Sequence, residues 1–139
     1  MLIRQFRPED SDQVVALWEA TALVRPWNDP RADIARKLTC QPELFLVGVE
    51  DGAIGAVVMG GYDGHRGHVN YLAVAPERQG EGLGKAILAH LEGLLLAMGC
   101  PKINLQVRLG SDQAVAFYER SGYESFNVTD LGKRLIFDE

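Results

Sequence analysis

The 139-residue sequence has few of the residues that bind metals or form disulfides, with two cysteines and three histidines. Cys40 and Cys100 lie far apart, no CxxC pair occurs, and the histidines are not spaced like metal ligands, so a zinc or redox site has little support. We therefore expect free thiols and no metal. The length is sufficient for one hydrophobic core, which predicts a single domain over residues 1–139.

Long apolar runs and an excess of positive charge are also missing. The first ten residues include Arg4, Arg7, Glu9 and Asp10 where a signal peptide needs an apolar stretch, and no segment reaches the length of a membrane span. The formal net charge is -5, which repels nucleic acid and anionic membranes at long range. The sequence therefore predicts a cytoplasmic protein whose partners include neither nucleic acid nor membrane.

Hydrophobic periodicity and turn residues predict an α+β fold. Asp10 and Gln13 are spaced like a capping box at the start of the first helix. Two Asp-Gly turns between apolar runs favour a three-strand meander, and therefore a mostly antiparallel mixed sheet rather than a doubly wound parallel one. The predicted elements are a strand at 2–6, helices after Pro8 and Pro30, the meander at 44–49, 54–62 and 68–74, a helix at 82–98 with Leu83, Ile87, Leu91, Leu94 and Met98 on its inner face, a strand at 103–107, a helix at 111–121, and two strands near 123–128 and 134–137.

A glycine-rich turn joins a strand to a long helix in the segment VNYLAVAPERQGEGLGKAIL, residues 69–88. Gly80, Gly82 and Gly84 let the backbone approach a ligand without Cβ atoms in the way. The start of the helix offers unpaired N–H groups and the positive end of the helix dipole. This pattern predicts an anion site that suits a pyrophosphate.

Two familiar phosphate-binding motifs do not match this segment. A Walker A loop built on Gly84 and Lys85 needs glycine at position 79 and a hydroxyl residue at 86, where the chain has Gln79 and Ala86. A GxGxxG dinucleotide fingerprint needs a third glycine at position 85, which is lysine, and its strand would have to open a βαβ unit rather than follow a meander.

The segment resembles motif A of the GCN5-related N-acetyltransferase (GNAT) superfamily, whose pattern Q/R-x-x-G-x-G/A is met by Gln79, Gly82 and Gly84. The preceding LAVAP, residues 72–76, resembles the splayed fourth strand of that superfamily, and AVAFYERSGY, residues 114–123, resembles its motif B. The order of elements also agrees along the chain. The strings RPWND, GYDGHRG and CPKINLQV further resemble the YpeA-like acetyltransferase branch.

The resemblance implies a GNAT-type fold, with a central, mostly antiparallel sheet flanked by helices and with strands 4 and 5 splayed apart. It implies an N-acetyltransferase that moves the acetyl group of acetyl-CoA, an acyl-donor co-substrate, onto a primary amine by direct attack in a ternary complex. A catalytically weak CoA-binding sensor or interaction domain of the same fold is the alternative. The resemblance is also compatible with a homodimer that pairs through sheet edges or C-terminal strands.

The resemblance further implies a CoA site made mainly of backbone. The backbone of residues 72–74 would bind the pantetheine arm, and the amides of residues 79–85 would hold the pyrophosphate. Ser111 stands where the family usually has asparagine, and its hydroxyl is expected to cap the following helix. The complete implied cofactor-binding set is Leu72, Ala73, Val74, Gln79, Gly80, Glu81, Gly82, Leu83, Gly84, Lys85, Ser111, Phe117 and Tyr118.

Tyr118 falls where members of the superfamily carry a tyrosine close to the CoA sulfur, so the resemblance implies a general acid that protonates the departing thiolate. His68 occupies a strand position where some protein-acetylating members place a catalytic glutamate, which makes it the candidate base. The alternative for His68 is an exposed or packed histidine. The net charge slightly favours a basic acceptor amine. The candidates for the acceptor pocket are Trp27, Asn28, Asp29, Asp63, His65 and Arg66.

Overall fold

The computed structural model describes residues 1–138, which form one five-stranded sheet with helices on both faces. The strands are β1 (Leu2–Gln5), β2 (Phe45–Glu50), β3 (Ala53–Tyr62), β4 (Gly67–Val74) and β5 (Ile103–Leu105). The helices are α1 (Ser11–Ala20), α2 (Pro30–Lys37), α3 (Leu83–Ala97) and α4 (Asp112–Arg120). No helix within residues 1–138 is long and apolar enough to cross a membrane.

The sheet has the order β1-β2-β3-β4-β5, antiparallel except for the parallel pair β4 and β5. The prediction of an α+β mixed sheet is therefore confirmed. The meander follows from local turn chemistry, because Asp51 and Gly52 have φ angles of 53° and 78°, as a tight β2–β3 hairpin turn requires. Gly64, with φ 92°, makes the corresponding turn before β4.

Two hydrophobic clusters hold the helices against the sheet. Below α1 and α2, the Trp18 ring is fully buried and stacks between Phe45, at 6.3 Å between centroids, and Tyr71, at 4.0 Å. On the other face, α3 packs its leucines directly on the sheet. A Cβ atom added to Gly60 of β3 would lie 2.4 Å from a methyl carbon of Leu91, so α3 lies close to the backbone of β3.

The predicted capping box is wrong, and the predicted inner face of α3 is right except at Met98. The carboxylate of Asp10 accepts hydrogen bonds from Arg4 and the Arg7 amide, and the Gln13 side chain accepts the Ile54 amide, so the two form no capping box. The inner face of α3 includes Leu88 and Leu95, both about 1% exposed, whereas Met98 is 40% exposed. Met98 is exposed because it is the C-cap that follows the last helical residue, Ala97.

The two predicted C-terminal strands are absent from the described part of the chain. Residues 124–138 contain no regular element, and their apolar side chains, including Phe126 and Leu135, are exposed. Asp138 instead binds the guanidinium groups of Arg36 on α2, at 2.6 Å, and Arg134, at 3.1 Å. This salt bridge holds the end of the tail against α2, whereas Asp130 accepts a hydrogen bond from Gln106, just after β5, at 2.6 Å without any strand pairing.

Candidate functional site

Strands β4 and β5 separate in the middle of β4. Their pairing runs from Gly67 opposite Ile103 to Val69 opposite Leu105, and β4 then continues for five residues with no strand partner on that side among residues 1–138. Backbone groups in residues 70–74 therefore line a gap in the sheet edge. This gap is the splay implied by the resemblance, and it contains the predicted residues Leu72, Ala73 and Val74.

A β-bulge lies where the splay begins. Val57 is opposite Ala73 and Met59 is opposite Asn70, so Tyr71 and Leu72 together face the single residue Val58. Tyr71 has a φ angle of 55°, which is rare for a residue with a side chain. The bulge turns Tyr71 towards the α1 and α2 cluster, while Leu72 packs on the α3 side. Sequence analysis missed this bulge.

The glycine-rich loop presents unpaired amides at the start of α3. Gly80 and Gly82 have φ angles of 85° and 84°, and a Cβ atom at either would have no atom within 4 Å. The first helical bond runs from the Ala86 amide to the Gly82 carbonyl, and no side chain caps the helix. The amides of residues 83–85 therefore have no partner among residues 1–138, which is the arrangement that an anion binds at a helix start.

Gly84 has a different role from the other two glycines. A Cβ atom there would lie 3.3 Å from Cγ2 of Val74 and 3.4 Å from the Phe117 ring. This position therefore lets α3 pack closely between β4 and α4. Phe117 accordingly belongs to the wall that joins these elements, and it packs against the α3 cluster.

Of the two cations near the loop, Arg78 is paired with carboxylates and Lys85 is not. Arg78 donates to Glu50 at 3.0 Å and to Glu81 at 3.1 Å, and these carboxylates, Glu81 first, raise the pKa of the Arg78 guanidinium. The Gln79 amide nitrogen donates to the Val74 carbonyl at 3.3 Å, which ties the loop to β4. Lys85 is exposed and makes no salt bridge with the described residues. Lys85 is therefore the loop cation that is free to face a phosphate.

Tyr118 lies on α4 and packs against the hydrophobic cluster under α3, as Leu72 and Val74 of β4 also do. Its ring makes edge contacts with Phe117 and Tyr123, with centroids 5.1 and 5.6 Å apart, and its hydroxyl has no hydrogen-bond partner among residues 1–138. Burial raises the pKa of Tyr118 to about 12, so the phenol keeps its proton at neutral pH. The Ser111 hydroxyl makes no capping hydrogen bond. The capping prediction for Ser111 is therefore wrong, although the residue does precede α4.

A cavity of about 550 Å³ opens at the bulge, on the face of the sheet that carries α1 and α2. A second cavity of about 480 Å³ adjoins it and has residues 133–136 of the tail as one wall. The predicted acceptor residues Trp27 and Asn28 line both cavities. The residues that line the larger cavity are Leu23, Arg25, Trp27, Asn28, Asp33, Arg36, Lys37, Cys40, Met59, Asn70, Tyr71 and Arg108.

Three side chains that line this cavity, Asn28, Asp33 and Tyr71, are joined by hydrogen bonds. The Tyr71 hydroxyl donates to a carboxylate oxygen of Asp33 at 2.5 Å. The Asn28 side-chain amide donates to the same hydroxyl and, at 3.2 Å, to the same Asp33 oxygen. Burial, and then the hydrogen bond with Asp33, raise the pKa of Tyr71. Tyr71 therefore stays protonated, and the three side chains hold one another in place.

All of the other predicted acceptor and base residues lie outside both cavities. Asp63 accepts the backbone amides of His65, at 2.8 Å, and Arg66, at 2.7 Å, which lowers the pKa of Asp63 to about 2. His68 is exposed, with Nε2 3.5 Å from an Asp63 oxygen. Asp63, His65 and Arg66 form the β3–β4 turn and His68 follows on β4, and none of the four lines either cavity. Asp29 accepts the amides of the first turn of α2 and so caps that helix.

Sequence analysis missed the basic side chains that line the larger cavity. Lys37 donates from Nζ to the Gly60 carbonyl at 2.5 Å, and burial lowers the pKa of its ammonium group. The guanidinium of Arg108 lies 5.2 Å from the centre of the Trp27 ring. Arg25 belongs to the same RPWND string as Trp27. These cations come from three separate segments, and no local pattern marks them as neighbours.

Comparisons with known proteins agree with this geometry. The sequence model of the acetyltransferase (GNAT) family matches residues 12–123. Acetyltransferase YE1169 of Yersinia enterocolitica is 50% identical over 139 residues, which is 100% of this chain and 99% of the relative. The structure of Ard1 from Thermoplasma volcanium is similar with a TM-score of 0.79 and 25% identity, over 87% of this chain and 80% of that one. AAC(6')-Iy, solved with a CoA-containing bisubstrate analogue, has a TM-score of 0.78 at 16% identity, over 96% and 97%.

Proposed function

Because this chain belongs to the acetyltransferase (GNAT) family, we propose that it transfers the acetyl group of acetyl-CoA to a primary amine by direct attack in a ternary complex. The observation that supports the proposal is that a surface suited to the donor and a cavity suited to the acceptor adjoin each other at the β4 bulge. On one side lie the splayed backbone of β4 and the unpaired amides of α3, and on the other lies the cavity of about 550 Å³.

The residues present fit acetyl-CoA as the donor. The backbone of residues 72–74 lies on the side of β4 that has no strand partner and offers hydrogen bonds to the amides of the pantetheine arm, as a strand edge does. The amides of residues 79–85 and the Lys85 ammonium offer a site for the pyrophosphate, because a helix start and a cation both favour negative charge. The acetyl end would then lie near the bulge, within reach of an amine in the cavity.

In this arrangement Tyr118 is the general acid. Attack by the amine on the thioester carbon breaks the carbon–sulfur bond, and the sulfur leaves with an electron pair that a phenol proton neutralises. The Tyr118 hydroxyl has its proton at neutral pH and no competing partner among the described residues. His68 stays a predicted base without a role in this arrangement, because its exposed side chain lies beside Asp63, 3.5 Å from a carboxylate oxygen. The proton that the amine loses passes to water, and water returns a proton to the Tyr118 phenolate after the CoA thiol leaves.

The proposal is tested with the purified protein, acetyl-CoA and a panel of primary amines, by following the release of the CoA thiol. Tyr118→Phe keeps the ring and its packing, so we expect the affinity for acetyl-CoA to stay within about twofold while kcat falls about 100-fold or more, the usual contribution of a general acid. Tyr62→Phe is the matched control, because the Tyr62 hydroxyl contacts the Gly99 carbonyl, outside both cavities.

The test also separates the enzyme from the alternative. Saturable binding of acetyl-CoA with no transfer to any amine of the panel would support a CoA-binding sensor of the same fold. Transfer that is equally fast in Tyr118→Phe and in the native protein would remove Tyr118 from the mechanism while leaving the enzyme.

A further inference from the structure

The acceptor cavity is basic although the chain is acidic. Four cations line it, Arg25, Arg36, Lys37 and Arg108, against the single carboxylate of Asp33. The formal net charge of the whole chain is -5. The sign of the charge at this site is therefore opposite to that of the molecule, and the local charge decides what the cavity binds.

The ion pairs within the cavity leave three of these cations uncompensated. Asp33 already accepts from Tyr71 and Arg36, and Arg36 also pairs with Asp138 at 2.6 Å. Arg25, Lys37 and Arg108 make no salt bridge with any residue of 1–138. They come from the loop after α1, from the end of α2 and from the loop after β5. Packing thus brings three unmatched cations to one concave surface.

The two best-placed cations have the chemistry of an anion site. Lys37 is partly buried, and burial without a carboxylate partner costs free energy that a bound anion would offset. The Arg108 guanidinium lies over the Trp27 ring, and no described residue accepts from its N–H groups. A guanidinium with free N–H groups matches the paired oxygens of a carboxylate or a phosphate.

Resting on the proposed acetyl transfer, we infer that the acceptor is a small amine that also carries a carboxylate or phosphate group, which Arg25, Lys37 and Arg108 bind. The anion would lie on these side chains, and the amine would point to the bulge at Asn70 and Tyr71, where the acetyl group ends. A volume of about 550 Å³ is within the range of small-molecule sites. This inference replaces the basic acceptor that the net charge favoured.

The experiment compares amines that differ only in the anion. One pair is 3-aminopropyl phosphate and 3-aminopropanol, and the other is 5-aminopentanoate and 5-aminopentanamide. The anion is several bonds from the nitrogen in each pair, so the amines differ little in basicity. We expect kcat/KM to be at least about tenfold higher for the anionic member of one pair or both, since a charge-assisted hydrogen bond contributes about 1.5–3 kcal/mol. The pair with the larger ratio identifies the group.

Charge-removal variants assign the effect to the cavity. Arg108→Gln and Lys37→Gln should each reduce the ratio of anionic to neutral kcat/KM at least about fivefold. Arg31→Gln is the matched control, because Arg31 is an exposed cation that pairs with Asp12 outside both cavities, and it should leave the ratio unchanged. Arg108 is exposed, so its variant keeps the test valid if Lys37→Gln folds poorly.

Direct binding keeps this inference separate from the proposed function. Calorimetry on the protein saturated with CoA should show 3-aminopropyl phosphate or 5-aminopentanoate binding more tightly than its neutral partner, and Arg108→Gln should abolish the difference. Equal or tighter binding of the neutral amines, or faster acetylation of spermidine or of a neutral peptide N-terminus, overturns the inference while the acetyltransferase stands. Tight binding of an anionic amine without any transfer supports an anion site on Arg25, Lys37 and Arg108 and contradicts the proposed function.

Discussion

Replacing Gly82 with alanine changes the backbone of the loop without creating a contact. The φ angle of Gly82 is 84°, and an added Cβ atom would meet nothing within 4 Å. The expected effect is therefore that of backbone strain alone, which is about 1–2 kcal/mol for an L-residue in the left-handed region. If the loop relaxes to avoid this strain, the amides of residues 83–85 no longer converge on one anion.

That strain converts to an affinity change that is large enough to measure. A free energy of about 1–2 kcal/mol corresponds to an acetyl-CoA Kd roughly 5 to 30 times higher in Gly82→Ala. Titration calorimetry with acetyl-CoA measures the Kd, and thermal unfolding measures the accompanying change in stability. The mutant protein should remain folded, because no side chain has to move.

Gly93 provides the same substitution on the same helix as a control. It lies in the middle of α3 with open space around its Cα atom and an ordinary helical conformation. Gly93→Ala should stabilise the protein by about 0.5–1 kcal/mol and leave the acetyl-CoA Kd unchanged, since alanine is the better helix former. An unchanged Kd in Gly82→Ala would refute the argument that the loop conformation makes the phosphate site.

Three further predictions concern packing, pH and the base. Gly60→Ala should lower the free energy of unfolding by about 1–3 kcal/mol in urea titrations, because the new Cβ atom would lie 2.4 Å from a methyl carbon of Leu91. An unchanged midpoint would show that the Leu91 side chain moves aside at no cost in stability. Asp10→Asn should cost about 1–3 kcal/mol at pH 7, because Arg4 then lacks its buried partner. The hydrogen bond from Arg4 lowers the pKa of Asp10 below 3.8, so this stabilisation is present above pH 3.8 and is lost as the pH falls through the folded-state pKa. A difference between the two proteins that did not shrink as the pH was lowered from 3.8 would contradict this prediction. His68→Gln should change kcat/KM less than about threefold, and a pH–rate profile that lost its ascending limb would instead establish His68 as the base.

The parts of the fold that depend on local chemistry were predictable. The Asp-Gly turns, the helix periodicity and the glycine loop each combine adjacent residues, and the structure has the meander, α3 and the loop where the sequence indicates them. The bulge at Tyr71 was not predictable, because it exists only in relation to Val58 on the neighbouring strand. The tail was wrongly predicted as strands, since alternation of apolar residues does not supply a pairing partner.

The candidate site divides in the same way. The backbone groups proposed to bind CoA lie in one continuous segment, residues 72–85, so a local sequence motif is enough to identify them. The acceptor half is assembled from Arg25, Lys37, Tyr71 and Arg108, which are separated by many residues in the chain. A single cation in a sequence is normally interpreted as a solvated surface residue. The net charge of -5 also gives no indication that one cavity is basic. Only long-range packing determines which charges meet.

The most direct test of the central claim is to incubate the protein with acetyl-CoA and 3-aminopropyl phosphate or 5-aminopentanoate, and to measure released CoA thiol and N-acetylated product together. We predict amine-dependent thiol release that equals the amount of acetylated amine and that falls at least about 100-fold in Tyr118→Phe. Acetyl-CoA that binds saturably but yields no acetylated product with these or any other amine would contradict the assignment of this chain as an acetyltransferase.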